Sequence, residues 1–83
     1  MRKRSKVNLI GVPWPVNLLQ CSKLTDAMGP DDELIISLRD KDLKTSLIMI
    51  LNALPELTFS ISDTGHCTTI NVKKLNPLLH KKV

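Results

Sequence analysis

Residues 6–17 read KVNLIGVPWPVN, and within these positions the hydrophobic period changes. Val7 and Leu9 alternate onto one face, so residues 6–10 are expected as a short strand closed by Gly11. Pro15 then suits the first position of a helix. Its fixed φ fits there, and its missing N–H would have no intrahelical acceptor. Leu18, Cys21, Leu24 and Met28 follow at spacings of three and four, which predicts one apolar helical stripe. Gly29 and Pro30 form a stop, with Gly29 expected in the left-handed cap and Pro30 unable to continue the helix. At the junction stands Trp14, the only tryptophan of a chain without tyrosine, between Pro13 and Pro15.

Outward from this junction the pattern repeats. ELIISL at 33–38 reads as a central strand of aliphatic and β-branched residues. Asp40 is placed to cap a second helix, with Asp42 in its positive first turn. Leu43, Leu47, Ile50, Leu51 and Leu54 line one face of that helix, and Ile48 and Met49 flank it. Pro55 ends it. LTFSIS at 57–62 alternates strictly, DTGH at 63–66 is a turn with Gly65 free for positive φ, and CTTINV at 67–72 returns as the last strand. The order β-α-β-α-β-β predicts an α+β fold, a two-layer α/β sandwich. Two helices cover one face of a four-stranded mixed sheet, with right-handed crossovers between parallel strands and a closing antiparallel hairpin.

Eighty-three residues make a single domain over 1–83, with 1–5 and 76–83 expected as flexible tails. A chain this short buries a thin core. The net charge of +4 is carried by the ends, in Arg2, Lys3, Arg4, Lys6, Lys81 and Lys82; residues 7–75 hold six basic residues against eight acidic ones. Such ends are read as solvated tails, with nucleic acid a partner that non-specific electrostatics would allow but that is not favoured. The apolar stretch after the basic start is broken by Gly11, Pro13 and Pro15, so it does not read as a signal peptide. The longest apolar run, residues 47–51, is too short to span a bilayer. A soluble, cytoplasmic protein with no membrane partner is expected. Two cysteines are too few for a disulfide scaffold, and both are expected reduced.

The junction and the segment MGPDDELII at 28–36 together carry a family resemblance. The chain resembles the TusA/SirA-like small sulfur-carrier proteins, whose signature at the first strand–helix junction is Gly–Leu–x–Cys–Pro–x–Pro. Gly11 and Val12 fall on Gly–Leu, and Pro15 falls on the proline after the family's cysteine. Met28 and Pro30 match the family's helix exit, with Asp31 and Asp32 in place of glycine and glutamate. Residues 41–74 are similar in element order and apolar pattern. The resemblance implies a persulfide carried on the signature cysteine. A thiol at a helix N-terminus meets unpaired N–H groups and the positive dipole end, which favour thiolate. Here Trp14 occupies that position and Asn17 the second proline position. An indole is no sulfur nucleophile and brings no oxygen to the helix-start amides, which are expected to need water, an anion or a partner's carbonyl.

Cys21 lies seven residues beyond Trp14, about 10 Å up the helix, and belongs to the apolar stripe. Cys67 begins the last strand beside His66, but neighbours in a strand point to opposite faces, and no further Cys or His stands at ligand spacing. Asp31, Asp32 and Glu33 read as a solvated acidic turn. The three glycines are scattered and form no phosphate-binding loop. No catalytic residues, metal or cofactor are expected, and the protein is not read as an enzyme. The expected interaction site is Gly11, Pro13, Trp14, Pro15 and Asn17, with a second apolar patch at Ile48 and Met49. The favoured function is a TusA/SirA-like module that has lost the carrier cysteine and binds a protein partner in or near sulfur relay. The alternatives are a carrier using Cys21 or Cys67, and a nucleic-acid-binding domain. The latter draws on a resemblance of the two-layer plan to the C-terminal domain of bacterial translation initiation factor three.

Overall fold

The computed structural model describes residues 3–75, so the expected tail at 76–83, like residues 1 and 2, lies outside them. The elements are β1 (Arg4–Asn8), α1 (Val16–Asp26), β2 (Glu33–Leu38), α2 (Lys41–Asn52), β3 (Leu57–Asp63) and β4 (Thr68–Lys74). The sheet order is β1-β2-β4-β3. β1 pairs parallel with β2, and β4 is antiparallel to both β2 and β3. The fold is the expected four-stranded mixed sheet with two helices.

Alternation along the strands decides which face the helices cover. Leu34, Ile36 and Leu38 of β2 are buried, as are Ile70 and Val72 of β4, and all join Leu43, Leu47 and Leu51 of α2 and Cys21 of α1 in one core. The opposite face carries Arg4, Lys6, Ser37, Thr58, Ser60 and Asn71, a polar surface that suits an uncovered sheet.

Asp40 caps α2 as its sequence position predicts, its side chain accepting from the N–H of Asp42 at 2.9 Å and of Leu43 at 3.2 Å. Gly65 takes φ +88 in the hairpin turn. Three local expectations are corrected. β1 begins at Arg4, so Arg4 and Ser5 belong to the sheet and not to a tail, while Ile10 lies in a turn. Helix α1 starts at Val16 with Pro15 as its N-cap, and it ends at Asp26, where Ala27 is the C-cap in right-handed geometry. The left-handed residue is accordingly not Gly29 but Asp31, at φ 68. There the Asp31 N–H donates to Lys74 O at 3.0 Å and ties the turn to the end of β4.

Two carboxylates lock the sheet ends. Asp63 accepts from Lys44 Nζ at 2.8 Å and from Thr68 Oγ1 at 2.9 Å, and these bonds, Lys44 first, hold its carboxyl below the ordinary value of 3.8. Asp32 accepts from the N–H of Gly29 at 2.8 Å and of Lys3 at 3.0 Å, with the same effect, the Gly29 bond being the larger cause. A carboxyl held low in the folded state contributes stability that is present above its unfolded pKa and is lost as pH falls through the folded one. NMR titration should therefore place both groups below 3.8. Asp63→Asn should flatten the decline of stability in that acid window while leaving the neutral-to-alkaline profile unchanged in shape.

Candidate functional site

The loop from Leu9 to Pro15 turns at Gly11, φ +86, where the positive φ and not lack of space requires glycine. The Val12 N–H donates to Leu9 O at 3.1 Å and closes a tight turn. Pro15 supplies no side-chain cap to α1. Asn17 does the equivalent work from inside the helix. Its Oδ1 accepts from the Leu18 N–H at 2.7 Å, and its Nδ2 donates to Val12 O at 3.3 Å. The Asn17 N–H itself donates to Pro13 O and the Leu19 N–H to Pro15 O, both at 3.1 Å. The amides of residues 17–19 are thus satisfied within the chain, and for these three the expectation that the helix-start amides need water, an anion or a partner is corrected.

Asn17 is also 0% exposed, which corrects its place in the expected interaction site. A buried amide side chain must be hydrogen-bonded, and both ends of this one are spent on holding the loop against the helix. The α1 stripe shifts with it. The buried line is Asn17, Cys21 and Thr25, at spacings of four, while Leu18 and Leu24 are half-buried on its flanks.

The other four residues of the expected site, Gly11, Pro13, Trp14 and Pro15, are exposed. Trp14 is 48% exposed, and beyond it Val16 and Leu19 (60%) are large apolar side chains in solvent. Val16 and Leu19 stand three apart and share one face of α1. An apolar ridge therefore runs from the loop up the first turn. Leu19 is not among the expected site residues, and the one signal for it in the sequence is its place off the three–four stripe.

The ridge has a companion at the same end of the sheet. β1, β2 and β3 run in one direction, so α1 and α2 both begin at the edge where these strands end. The β3–β4 turn is at that edge too, tied to the first turn of α2 by the Lys44–Asp63 ion pair. Between them lies a shallow cavity of about 150 Å³, lined among others by Arg39, Lys41, His66 and Cys67. Cys67 is half-buried, its Sγ 3.7 Å from Thr64 Oγ1. Cys21 is fully buried, and burial pushes its thiol up to about 11. The second expected patch is divided: Met49 is well exposed, while Ile48 is half-buried. Among the described residues no three His, Cys, Asp or Glu side chains group to hold a metal ion, and no helix is long and apolar enough to cross a membrane.

A wider depression of about 480 Å³ lies on the open sheet face, lined among others by Arg4, Glu33, Ile35, Asn71 and Lys73. Arg4 pairs with Glu33 across it at 3.3 Å. Compared with known proteins, the chain matches no family model, no curated protein and no solved structure.

Two outcomes check this geometry. Asn17→Ala removes a buried side chain and strands the part-buried Leu18 N–H and Val12 carbonyl, and should cost about 1–3 kcal/mol in urea unfolding, whereas Trp14→Ala, at a half-exposed ring, should cost clearly less. Alkylation of the native protein should label Cys67 alone, with Cys21 reacting only once the fold is opened by denaturant.

Proposed function

We propose that this protein is a TusA/SirA-like binding module that docks a protein partner in the cytoplasm and carries no sulfur at the helix start. The observation that carries this reading is the Trp14 ring, 48% exposed between two prolines. Prolines on both sides limit the conformational freedom lost on contact, and tryptophan is the side chain most enriched among binding hot spots. Val16 and Leu19 extend the apolar area along one helix face. Three of the helix-start amides that would favour a thiolate or another anion, those of residues 17–19, are already bonded to Pro13, Asn17 and Pro15. The site thus has the materials for contact and lacks those for transfer.

A carrier role through Cys67 is the second reading. It is favoured by the half-exposed thiol at the same end of the sheet, with Arg39, Lys41 and His66 around its cavity. Cys21 offers no comparable route, being buried and held as a thiol. For nucleic acid the open sheet face supplies Arg4, Lys6 and Lys73 but no aromatic ring, since Phe59 lies on the helix-covered side.

Incubation with a cysteine desulfurase and cysteine, followed by mass spectrometry, separates the first two readings. Neither cysteine is expected to gain a sulfur atom, and a gain on Cys67 would establish the carrier. In parallel, a partner captured by the wild-type chain should be lost with Trp14→Ala and kept with Cys67→Ser; the reverse pattern contradicts docking through the ridge.

A further inference from the structure

The sheet has two edges, and the sequence treats them differently. β1 carries Arg4 and Lys6, with Lys3 just before it, and basic residues are a common device against edge-to-edge pairing. β3 carries no such guard. Its seven residues, LTFSISD, hold no lysine, arginine or proline, and the only charge is Asp63 at the last position. Its pairing with β4 runs one-to-one from Leu57↔Lys74 to Asp63↔Thr68 without a bulge.

The hydrogen-bond phase of this edge follows from its two ends. The Leu75 N–H donates to Glu56 O, and the Thr64 N–H donates to Cys67 O. In an antiparallel ladder bonded pairs alternate, so Thr58, Ser60 and Ser62 bond inward to β4. Phe59 and Ile61 then turn their N–H and C=O groups outward, away from every strand among the described residues. Their side chains lie on the helix-covered face at its margin, Phe59 half-buried and Ile61 40% exposed. The helix above them is α2, whose Lys44 reaches Asp63. Ile48 stands one turn beyond Lys44 on the same flank of α2, so it lies toward this edge as well.

We infer that β3 is an interface for a second copy of this chain, which pairs antiparallel through its own β3 and continues the sheet. The strand is complementary to itself. Centred on Ser60, all seven residues overlap their symmetry mates. Phe59 falls opposite the partner's Ile61, an aromatic and β-branched pair of the kind that stabilises strand contacts. Thr58 falls opposite the partner's Ser62, and Asp63 opposite the partner's Leu57. No like charges meet, and the outward N–H and C=O groups of Phe59 and Ile61 all find acceptors or donors. The contact is isologous and closed by a two-fold axis, so it ends at two copies. Ile61 is covered by the mate's Phe59, and the two Trp14 ridges are left at opposite ends of the dimer. The inference is independent of what those ridges bind. A single edge contact of this kind is narrow, and the association it supports is weak and concentration-dependent.

Sedimentation equilibrium of the full chain over a concentration series, with amide hydrogen exchange at matching concentrations, tests the interface. The average mass should rise from one chain toward two. The Phe59 and Ile61 amides should gain protection in step, while those of Ser60 and Ser62 are protected throughout. Ser60→Lys changes an exposed residue but sets two ammonium groups across the axis, and it should raise the midpoint of association about fivefold or more. An equimolar mixture of Ser60→Lys and Ser60→Glu chains should restore it. A chain that stays single up to its solubility limit, a Ser60→Lys chain that associates like the wild type, or protection that grows elsewhere than at Phe59 and Ile61 would overturn the inference.

Discussion

The two hydrogen bonds of the Asn17 side chain, one to the Leu18 amide and one to the Val12 carbonyl, fix the relation between loop and helix on which the proposed docking surface depends. They let α1 start without a side-chain cap, which Pro15 at the N-cap position cannot supply. They also pin the loop from below, and the chain above them, Pro13 to Val16, stays in solvent. A polar side chain at the bottom of the junction thus supports an apolar one at its top. Without the buried amide, the first turn would need an external acceptor, and the site would favour anions instead of apolar contact.

That arrangement bears on chemistry as much as on shape. A helix start becomes reactive when its amides remain available to a developing negative charge. Here the amides of residues 17–19 are bonded to oxygens of the chain, and the residue above them is an indole. The two thiols lie elsewhere, one in the core and one in the β3–β4 turn. The common direction of β1, β2 and β3 nevertheless brings the turn and both helix starts to one end of the sheet. A partner docked on the Trp14 ridge would find Cys67 at the same end, with β1 and β3 at opposite edges of the sheet between them.

Elements with a clean period were legible in the sequence. ELIISL, the Asp40 cap, the leucine face of α2 and the hairpin around Gly65 follow from alternation, capping and turn chemistry that no distant contact overrides. β1 was displaced because Leu9 and Ile10 continue the apolar run, although the ladder partner of Lys3 draws the strand toward the N-terminus. The stripe of α1 departs from its apolar pattern because its buried line includes Asn17 and Thr25, polar residues whose partners are backbone groups nearby. Pattern reading scores such residues as surface. The left-handed turn fell to Asp31 and not to Gly29, since the bond that fixes it reaches Lys74, more than forty positions away in the chain. The bare edge of β3 was visible as a composition, but its meaning required the sheet order.

Because Trp14 is the only tryptophan, its fluorescence reports on the helix start without interference. Native protein should show emission between that of a buried and a free indole, with ready quenching by acrylamide that changes little on unfolding. Blue-shifted emission that resists quenching until the chain unfolds would mean that the ring is packed inside, and the surface described for contact would not exist.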